Sequence, residues 1–324
     1  MMDRRRFIGV VAGGVLAPLA ARAQTGKVYR IGLLEPIPAA QNAANLDALR
    51  RGLRELNYVE GRNLKIEYRS ADGQAERFPA LVAELEHLKV DLIVARGTPA
   101  AKAAKDASAT IPVVMATMGD PSALVASFAH PGGNITGVTT FSTELSAKRI
   151  QLLKELIPNL SRVALLHNMG NPAASPEWEE TKIAARALGL QAELLDVRSD
   201  NDVDRAFERA AGQHVGALVV GADGLTQMHR RTIIERANRN RLPAAYPARE
   251  FIEAGGLIAY AVNYPDLYFR FASFIDKIFK GAKPSDLPIE QPAKFELVVN
   301  LRTARALGLT VPKSLLLQAD EVIQ

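Results

Sequence analysis

Two stretches of the chain end an apolar run on glycine, then set down a small or polar residue and a proline. Gly97-Thr98-Pro99-Ala100 follows Asp91-Leu-Ile-Val-Ala95, and Gly119-Asp120-Pro121-Ser122 follows Pro112-Val-Val-Met-Ala116. Each reads as a strand end passing into a helix start. A helix start carries unpaired N–H groups and the positive end of the helix dipole, so it holds a carboxylate without a lysine. Thr98 adds a hydroxyl donor. Asp120 can accept from an ammonium group or cap its own helix. Neither loop is a phosphate cradle, because the chain has no GxxxxGK[ST] and no GxGxxG spacing.

A second set of polar groups follows two later apolar runs. The run 163–166 ends in "HNMGNPAASPEW", which puts His167, Asn168, Asn171 and Ser175 at its mouth. The run 217–220 ends in Gly221-Ala222-Asp223-Gly224, where Asp223 is the first choice to receive a ligand amine. Capping a helix that begins at 225 is an equal use for that carboxylate. Tyr246, Tyr260 and Tyr264 lie after later strands and can stack on a planar ligand. Trp178 either joins them or covers a helix, whereas Phe269, Phe271 and Phe274 fall inside an amphipathic helix and read as core. The expected ligand-binding set is Gly97, Thr98, Pro99, Gly119, Asp120, Asn168, Asn171, Asp223, Tyr246 and Tyr264.

Catalytic and metal chemistry find little support. There is no GxSxG elbow and no HExxH, and the five histidines are scattered, with His167 alone at a strand end. No carboxylate pair has a spacing that selects acid–base work. Cysteine is absent, which removes disulfides, thiolate metal sites, cysteine nucleophiles and a lipid-bearing cysteine anchor. No catalytic residue, metal or cofactor is expected.

Positioning these groups requires strands and helices in alternation. Tyr29–Leu34 is an apolar strand, followed by a helix with Leu46, Leu49, Leu53 and Leu56 on one face. A turn at 60–63 leads to the strand 64–68, and Phe78, Leu81, Val82, Leu85 and Leu88 stripe the next helix. After Pro131-Gly132-Gly133-Asn134 a crossing strand is expected at 135–141. The pattern then restarts with helices at 143–156, 176–188, 201–211 (capped by Ser199) and 225–240 around strands at 163–166, 192–197 and 217–220. A strand at 255–261, a helix at 267–279, a proline-punctuated stretch at 283–292, a strand at 295–300 and a short helix close the chain. Continuous apolar strands alternating with helices predict parallel sheets covered on both faces. The expected class is α/β, with two doubly wound lobes. The first takes 28–137 plus about 257–283, the second 138–256 plus about 284–324. Hinges are expected near Gly137–Thr140, Ala254–Gly256 and Lys283–Pro292.

The first 23 residues have another layout. Arg4, Arg5 and Arg6 precede an apolar stretch from Phe7, and Ala21-Arg22-Ala23 is a small-x-small site before Gln24. That is the plan of an export signal cleaved after Ala23, and Arg4-Arg5-Arg6-Phe7-Ile8 is close to a twin-arginine core. The general secretory route stays open, because Asp3 and Gly9 depart from the usual flanks. The segment holds four Arg and one Asp, so removing it lowers the net charge from +5 to +2. The remaining balance gives no reason to expect nucleic acid as a partner, and a soluble periplasmic monomer is the expectation.

"IGLLEP", "RGTPAA", "MGDPSALV", "NITGV", "EFIEAGGLIAYAVNY" and "PIEQPAKFELVVNLRTARALGL", in that order over about residues 28–323, resemble the ABC-transporter substrate-binding family that includes tryptophan- and tyrosine-binding members. The resemblance implies the type I periplasmic binding protein fold, with a small molecule held between two lobes joined by a multi-strand hinge. It also implies delivery to an ABC permease and ATPase in the inner membrane. An amino acid, especially an aromatic one, or a related small acid is the implied ligand class. A ligand-sensing input protein for a membrane receptor or kinase is the alternative, and an exported enzyme is a third reading with no motif behind it.

Overall fold

The computed structural model describes residues 27–324 except 119, 120, 123, 141 and 293. The export signal expected over 1–23 and the site residues Gly119 and Asp120 therefore lie outside the described residues. The first lobe is built from β1 (Tyr29–Glu35), α1 (Ala43–Glu55), β2 (Leu64–Ser70), α2 (Phe78–His87), β3 (Leu92–Arg96), α3 (Thr98–Ala107), β4 (Val113–Met118) and β5 (Ile135–Thr139). Its five strands are parallel, in the order β2-β1-β3-β4-β5.

The second lobe begins with α4 (Ser142–Leu156), β6 (Arg162–His167), α5 (Ala174–Ala187), β7 (Gln191–Asp196), α6 (Asp200–Gly212) and β8 (Ala217–Val220). It continues through α7 (Gly224–Met228), α8 (Arg230–Arg239), β9 (Ala244–Tyr246), α9 (Arg249–Glu253) and β10 (Ile258–Val262). The chain then forms α10 (Tyr264–Phe279), β11 (Phe295–Asn300), α11 (Leu301–Ala306), α12 (Lys313–Gln318) and β12 (Glu321–Ile323). The second sheet has seven strands in the order β12-β11-β10-β9-β8-β6-β7, and only the β10–β11 pair is antiparallel.

Period-two alternation explains why the strands are apolar on both sides. In β3, Leu92 and Val94 enter the core beneath α1 and α10, while Ile93 and Ala95 enter the one beneath α2 and α3. In β8, Leu218 and Val220 face one core and Ala217 and Val219 the other. Helices cover both faces of each sheet, the doubly wound arrangement expected. α1 buries Leu46, Leu49 and Leu53 against α10, so α10 belongs to the first lobe although it follows a second-lobe strand.

Several expectations need correction. The sequence places 257–262 in the first lobe, but β10 pairs with β9 and β11 in the second. Residues 284–290, expected in the second lobe, lie on the first: Thr136 donates to the Leu287 carbonyl at 2.7 Å, and Val138 bridges to Glu290. The chain passes between lobes three times, after β5, between Val262 and Tyr264, and between Glu290 and Phe295. Ala254–Gly256 is the turn from α9 into β10, inside the second lobe, and is no hinge. β5 itself is the edge of the first sheet and the crossing comes after it.

No helix follows β4 among the described residues, where prolines at 121 and 131 and the 132–133 glycine pair interrupt the chain. The second helix start was expected at Gly119 and Asp120, which lie outside the described residues. The single helix expected over 225–240 is two, parted at His229. Ser199 holds the N-cap position of α6, but its hydroxyl donates to Asp202 at 2.8 Å instead of accepting from the helix.

Candidate functional site

β3 ends on Arg96, and Gly97 turns the chain into α3 with φ 86°, a left-handed conformation that glycine adopts without strain. The first backbone bond of α3 runs from the Ala101 N–H to the Gly97 carbonyl. The N–H groups of Thr98 and Ala100 precede it, and Pro99 has none to offer. Gly97, Thr98 and Pro99 line a cleft of about 620 Å³, its open mouth included, with Arg96 beside them.

The opposite wall comes from the second lobe. Asp223 caps α7, its Oδ1 accepting the Leu225 N–H at 2.8 Å, with Thr226 completing a capping box. The same carboxylate accepts from Asn171 Nδ2 at 2.8 Å and from Asn168 Nδ2 at 3.3 Å. Each asparagine folds its own loop by accepting a backbone N–H two residues on, Gly170 for Asn168 and Ala173 for Asn171. The loop after β6 and the loop after β8 are thus tied through Asp223, which caps a helix and faces the cleft at once. Asn171 and Asp223 line the cleft, while Asn168 stands one step behind. Tyr264, at the second crossing, closes the cleft between the lobes.

Tyr246 does not belong to the site. Its side chain is fully buried and stacks on Phe251, ring centroids 5.1 Å apart, within the core. β9 is a central strand of its sheet, so Tyr246 points into packed helix instead of solvent. Tyr260 packs its ring against Phe295, and Trp178 covers the outer core of the second lobe beneath Lys182. Neither lines the cleft, and neither does Ser175.

Two buried charged groups stand at and behind the cleft wall without any sequence motif to mark them. Arg96 lines the cleft with only 6% of its surface exposed; its guanidinium lies 4.8 Å from the Tyr264 ring centroid and donates to Asn42 Oδ1 at 3.1 Å. Behind it Glu35 is fully buried, and its Oε1 accepts from the Tyr268 hydroxyl at 2.6 Å. Its Oε2 has no hydrogen-bond partner and sits 3.8 Å from Arg96 Nη1. Burial pushes the Glu35 carboxyl up to about 7, although Arg96, Tyr268 and Asn42 all pull it down. The only signal in the sequence was a charge closing each of two apolar strands, "LIVAR" and "GLLE".

His167, placed at the mouth by its sequence position, is fully buried and bonds Glu177 at 3.1 Å. Glu177 also takes the Ser146 hydroxyl and lies 4.0 Å from Arg149, which donates to the Tyr260 carbonyl. Burial disfavours the charged imidazole, but Glu177 outweighs it and holds His167 above its ordinary value. The same pairing overcomes burial at Glu177 and keeps its carboxyl below the usual range. Among the described residues no group of three or more His, Asp or Glu side chains is placed to hold a metal ion.

The lips of the cleft touch. Arg230 Nη1 donates to Gln41 Oε1 at 2.6 Å, and Gln41 Nε2 meets Met228 Sδ at 3.5 Å. Gly224 packs so closely on Pro36 that a Cβ there would stand 2.7 Å from the proline Cβ. A cleft between two doubly wound lobes, closed by direct contact and lined from both sides, is the architecture that the motif order implied.

The profile of the ABC transporter substrate binding protein family matches residues 30–323. The chain belongs to this family. The substrate-binding protein is 24% identical over 271 residues to a tyrosine-binding protein of Clostridioides difficile, covering 82% of this chain and 78% of that one. It is 28% identical to an ABC domain from Streptococcus pneumonia solved in complex with L-Trp, with a TM-score of 0.84 over 91% of this chain and 99% of the other. A ligand-free, open substrate binding protein with adhesive properties from Clostridium difficile is 24% identical, with a TM-score of 0.64 over 92% of this chain and all of the other. As a substrate-binding protein it has a small-molecule ligand and an ABC transporter for partners, and its family typically works outside the cytoplasm. No helix among the described residues is long and apolar enough to cross a membrane.

Proposed function

We propose that the protein captures an α-amino acid, preferentially one with an aromatic side chain, and hands it to the permease and ATPase of an inner-membrane importer. The observation that carries this reading is the chemical asymmetry of the cleft. The first lobe offers the α3 N-terminus, the Thr98 hydroxyl and the Arg96 guanidinium; the second offers the Asp223 carboxylate. A carboxylate on one wall and an ammonium on the other describe a zwitterion held across the gap. Tyr264 supplies an aromatic face at the junction. The relatives named for tyrosine and for L-Trp support the same class, and the higher TM-score against the L-Trp complex accords with the closed lips. No catalytic step is proposed. The protein acts as a monomer in the periplasm, with residues 1–23 removed on export; mass spectrometry of the periplasmic form should give an N-terminus at Gln24.

The test is a thermal-shift and calorimetric screen of amino acids. A compound that binds only the folded state raises the melting temperature. Its methyl ester should bind at least about tenfold more weakly, since the carboxylate is lost to a charge-assisted site. Asp223→Asn should weaken binding of the amine form by about 10- to 100-fold while the helix stays capped, because asparagine caps as well as aspartate. Small-angle scattering should show compaction on binding, as the lobes rotate about the three crossings, and the ligand should be recovered unchanged. An ester that binds as tightly as the acid would overturn the carboxylate assignment, and a converted ligand would mean an enzyme.

A further inference from the structure

Glu35 is a costly residue to keep at the end of β1. It is fully buried, one of its oxygens has no hydrogen-bond partner, and the nearest cation, 3.8 Å away, is a residue of the cleft wall. Proximity to Arg96 makes the two groups one electrostatic unit. With Glu35 ionised, Arg96 is already neutralised from behind; with Glu35 protonated, its whole charge is turned toward the cleft. A ligand carboxylate on Arg96 would set two carboxylates on one guanidinium that is only 6% exposed. Like charges sharing a buried cation cannot both stay ionised without penalty.

We infer that Glu35 takes up a proton when an anionic ligand group docks on Arg96, so that capture of a carboxylate ligand is proton-coupled. The inference rests on the proposed reading of the cleft as a carboxylate-binding site and goes beyond it by assigning a positioning residue that the ligand never touches. The surroundings of Glu35 are suited to this. Arg96 faces it from β3, Tyr68 from β2, Tyr268 from α10, and Asn42 from the approach to α1, while Tyr264 of α10 lies against Arg96. Asp72 acts on Tyr68 and Glu250 on Arg96, each by charge alone. Of these, only Glu35 has its carboxyl pushed up to about 7 by burial, so it changes charge where exported proteins work.

The sign follows from linkage. A bound carboxylate raises the Glu35 value further, so affinity is highest and flat below about pH 7. Above that, Kd rises by up to about tenfold per pH unit until the bound-state value is passed. Titration calorimetry with L-tryptophan, and with other α-amino acids where it is silent, should be run in two buffers of different ionisation enthalpy at about pH 6 to about pH 8.5. The wild type should take up close to one proton per ligand at the upper end and almost none at the lower. Glu35→Gln should bind with no uptake and a flat profile. Tyr268→Phe removes the hydroxyl that stabilises the carboxylate and should move the onset of the slope to higher pH; it decides the matter where Glu35→Gln does not fold. Binding without proton uptake in the wild type, or a slope that survives in Glu35→Gln, overturns the inference and leaves the carboxylate reading intact. A slope that survives there points to His167 and Glu177 in the other lobe. If no carboxylate binds at any pH, both fall together.

Discussion

Adding one methyl group at Gly224 should hold the cleft open. A Cβ at this position stands 2.7 Å from the Pro36 Cβ, and Pro36 lies across the gap on the other lobe. Carbon atoms rest about 3.5–4.0 Å apart, so the lobes must separate by roughly an ångström at the lip or the proline ring must be displaced. The ring cannot swing aside as a long side chain would. Overpacking of this kind costs about 1–3 kcal/mol. Here the cost falls on the closed form alone, because the two atoms part when the lobes do. Ligand binds across the closed cleft, so Kd should rise roughly 5- to 150-fold. The open form should not suffer, since alanine at the first position of α7 is a better helix former than glycine by up to about 1 kcal/mol. Calorimetry would measure the affinity, the ligand-free melting temperature the stability, and small-angle scattering the shape of the Gly224→Ala variant with saturating ligand. Adding Pro36→Gly deletes the opposing atom and should restore most of the lost affinity, a coupling that a double-mutant cycle quantifies. Unchanged affinity in Gly224→Ala, or a loss that Pro36→Gly does not relieve, would refute closure by contact between these lips.

Three further outcomes are expected. The carboxyl of Glu35 is raised from 4.5 to about 7, so its contribution to stability is fully present below about 4.5 and is lost as pH rises through about 7, a change of about 3 kcal/mol; chemical denaturation of Glu35→Gln should lack that part of the pH dependence. Glu177→Gln strands the buried His167 and Arg149 and should cost about 3–5 kcal/mol by denaturant midpoint. His167 contributes below its ordinary 6.5 and fades as pH rises through its raised value, while Glu177 contributes above its ordinary 4.5 and fades as pH falls through its lowered one. The gap to wild type should therefore be widest between those limits, and a gap that grows steadily with pH would disprove the pairing. Tyr246→Ala should destabilise the fold by about 3–5 kcal/mol, while Tyr246→Phe leaves ligand affinity unchanged; a binding defect in the phenylalanine variant would return Tyr246 to the site.

The amino-acid sequence by itself determined most of the elements, the class and the family. Two-residue alternation in strands such as 217–220 and the 3.6-residue stripe of α1 are local, and burial on both sheet faces follows from them. The strand-end loops at Thr98, Asn171 and Asp223 were legible for the same reason: in an open parallel sheet the carboxyl ends of the strands face the crevice. What local pattern could not decide was which of several similar residues reach that crevice. Tyr246 and Tyr264 both follow apolar strands, but β9 lies in the middle of its sheet under packed helices, whereas Tyr264 sits where the chain passes between lobes. β10 read as a first-lobe strand because the helix after it belongs there; its choice of sheet is set by hydrogen bonds to β9 and β11, remote in sequence. Arg96 and Glu35 are 61 positions apart, and each alone is an ordinary charge at a strand end. Only the pairing of β1 with β3 brings them within 3.8 Å, behind a cleft wall, where water can no longer screen one from the other.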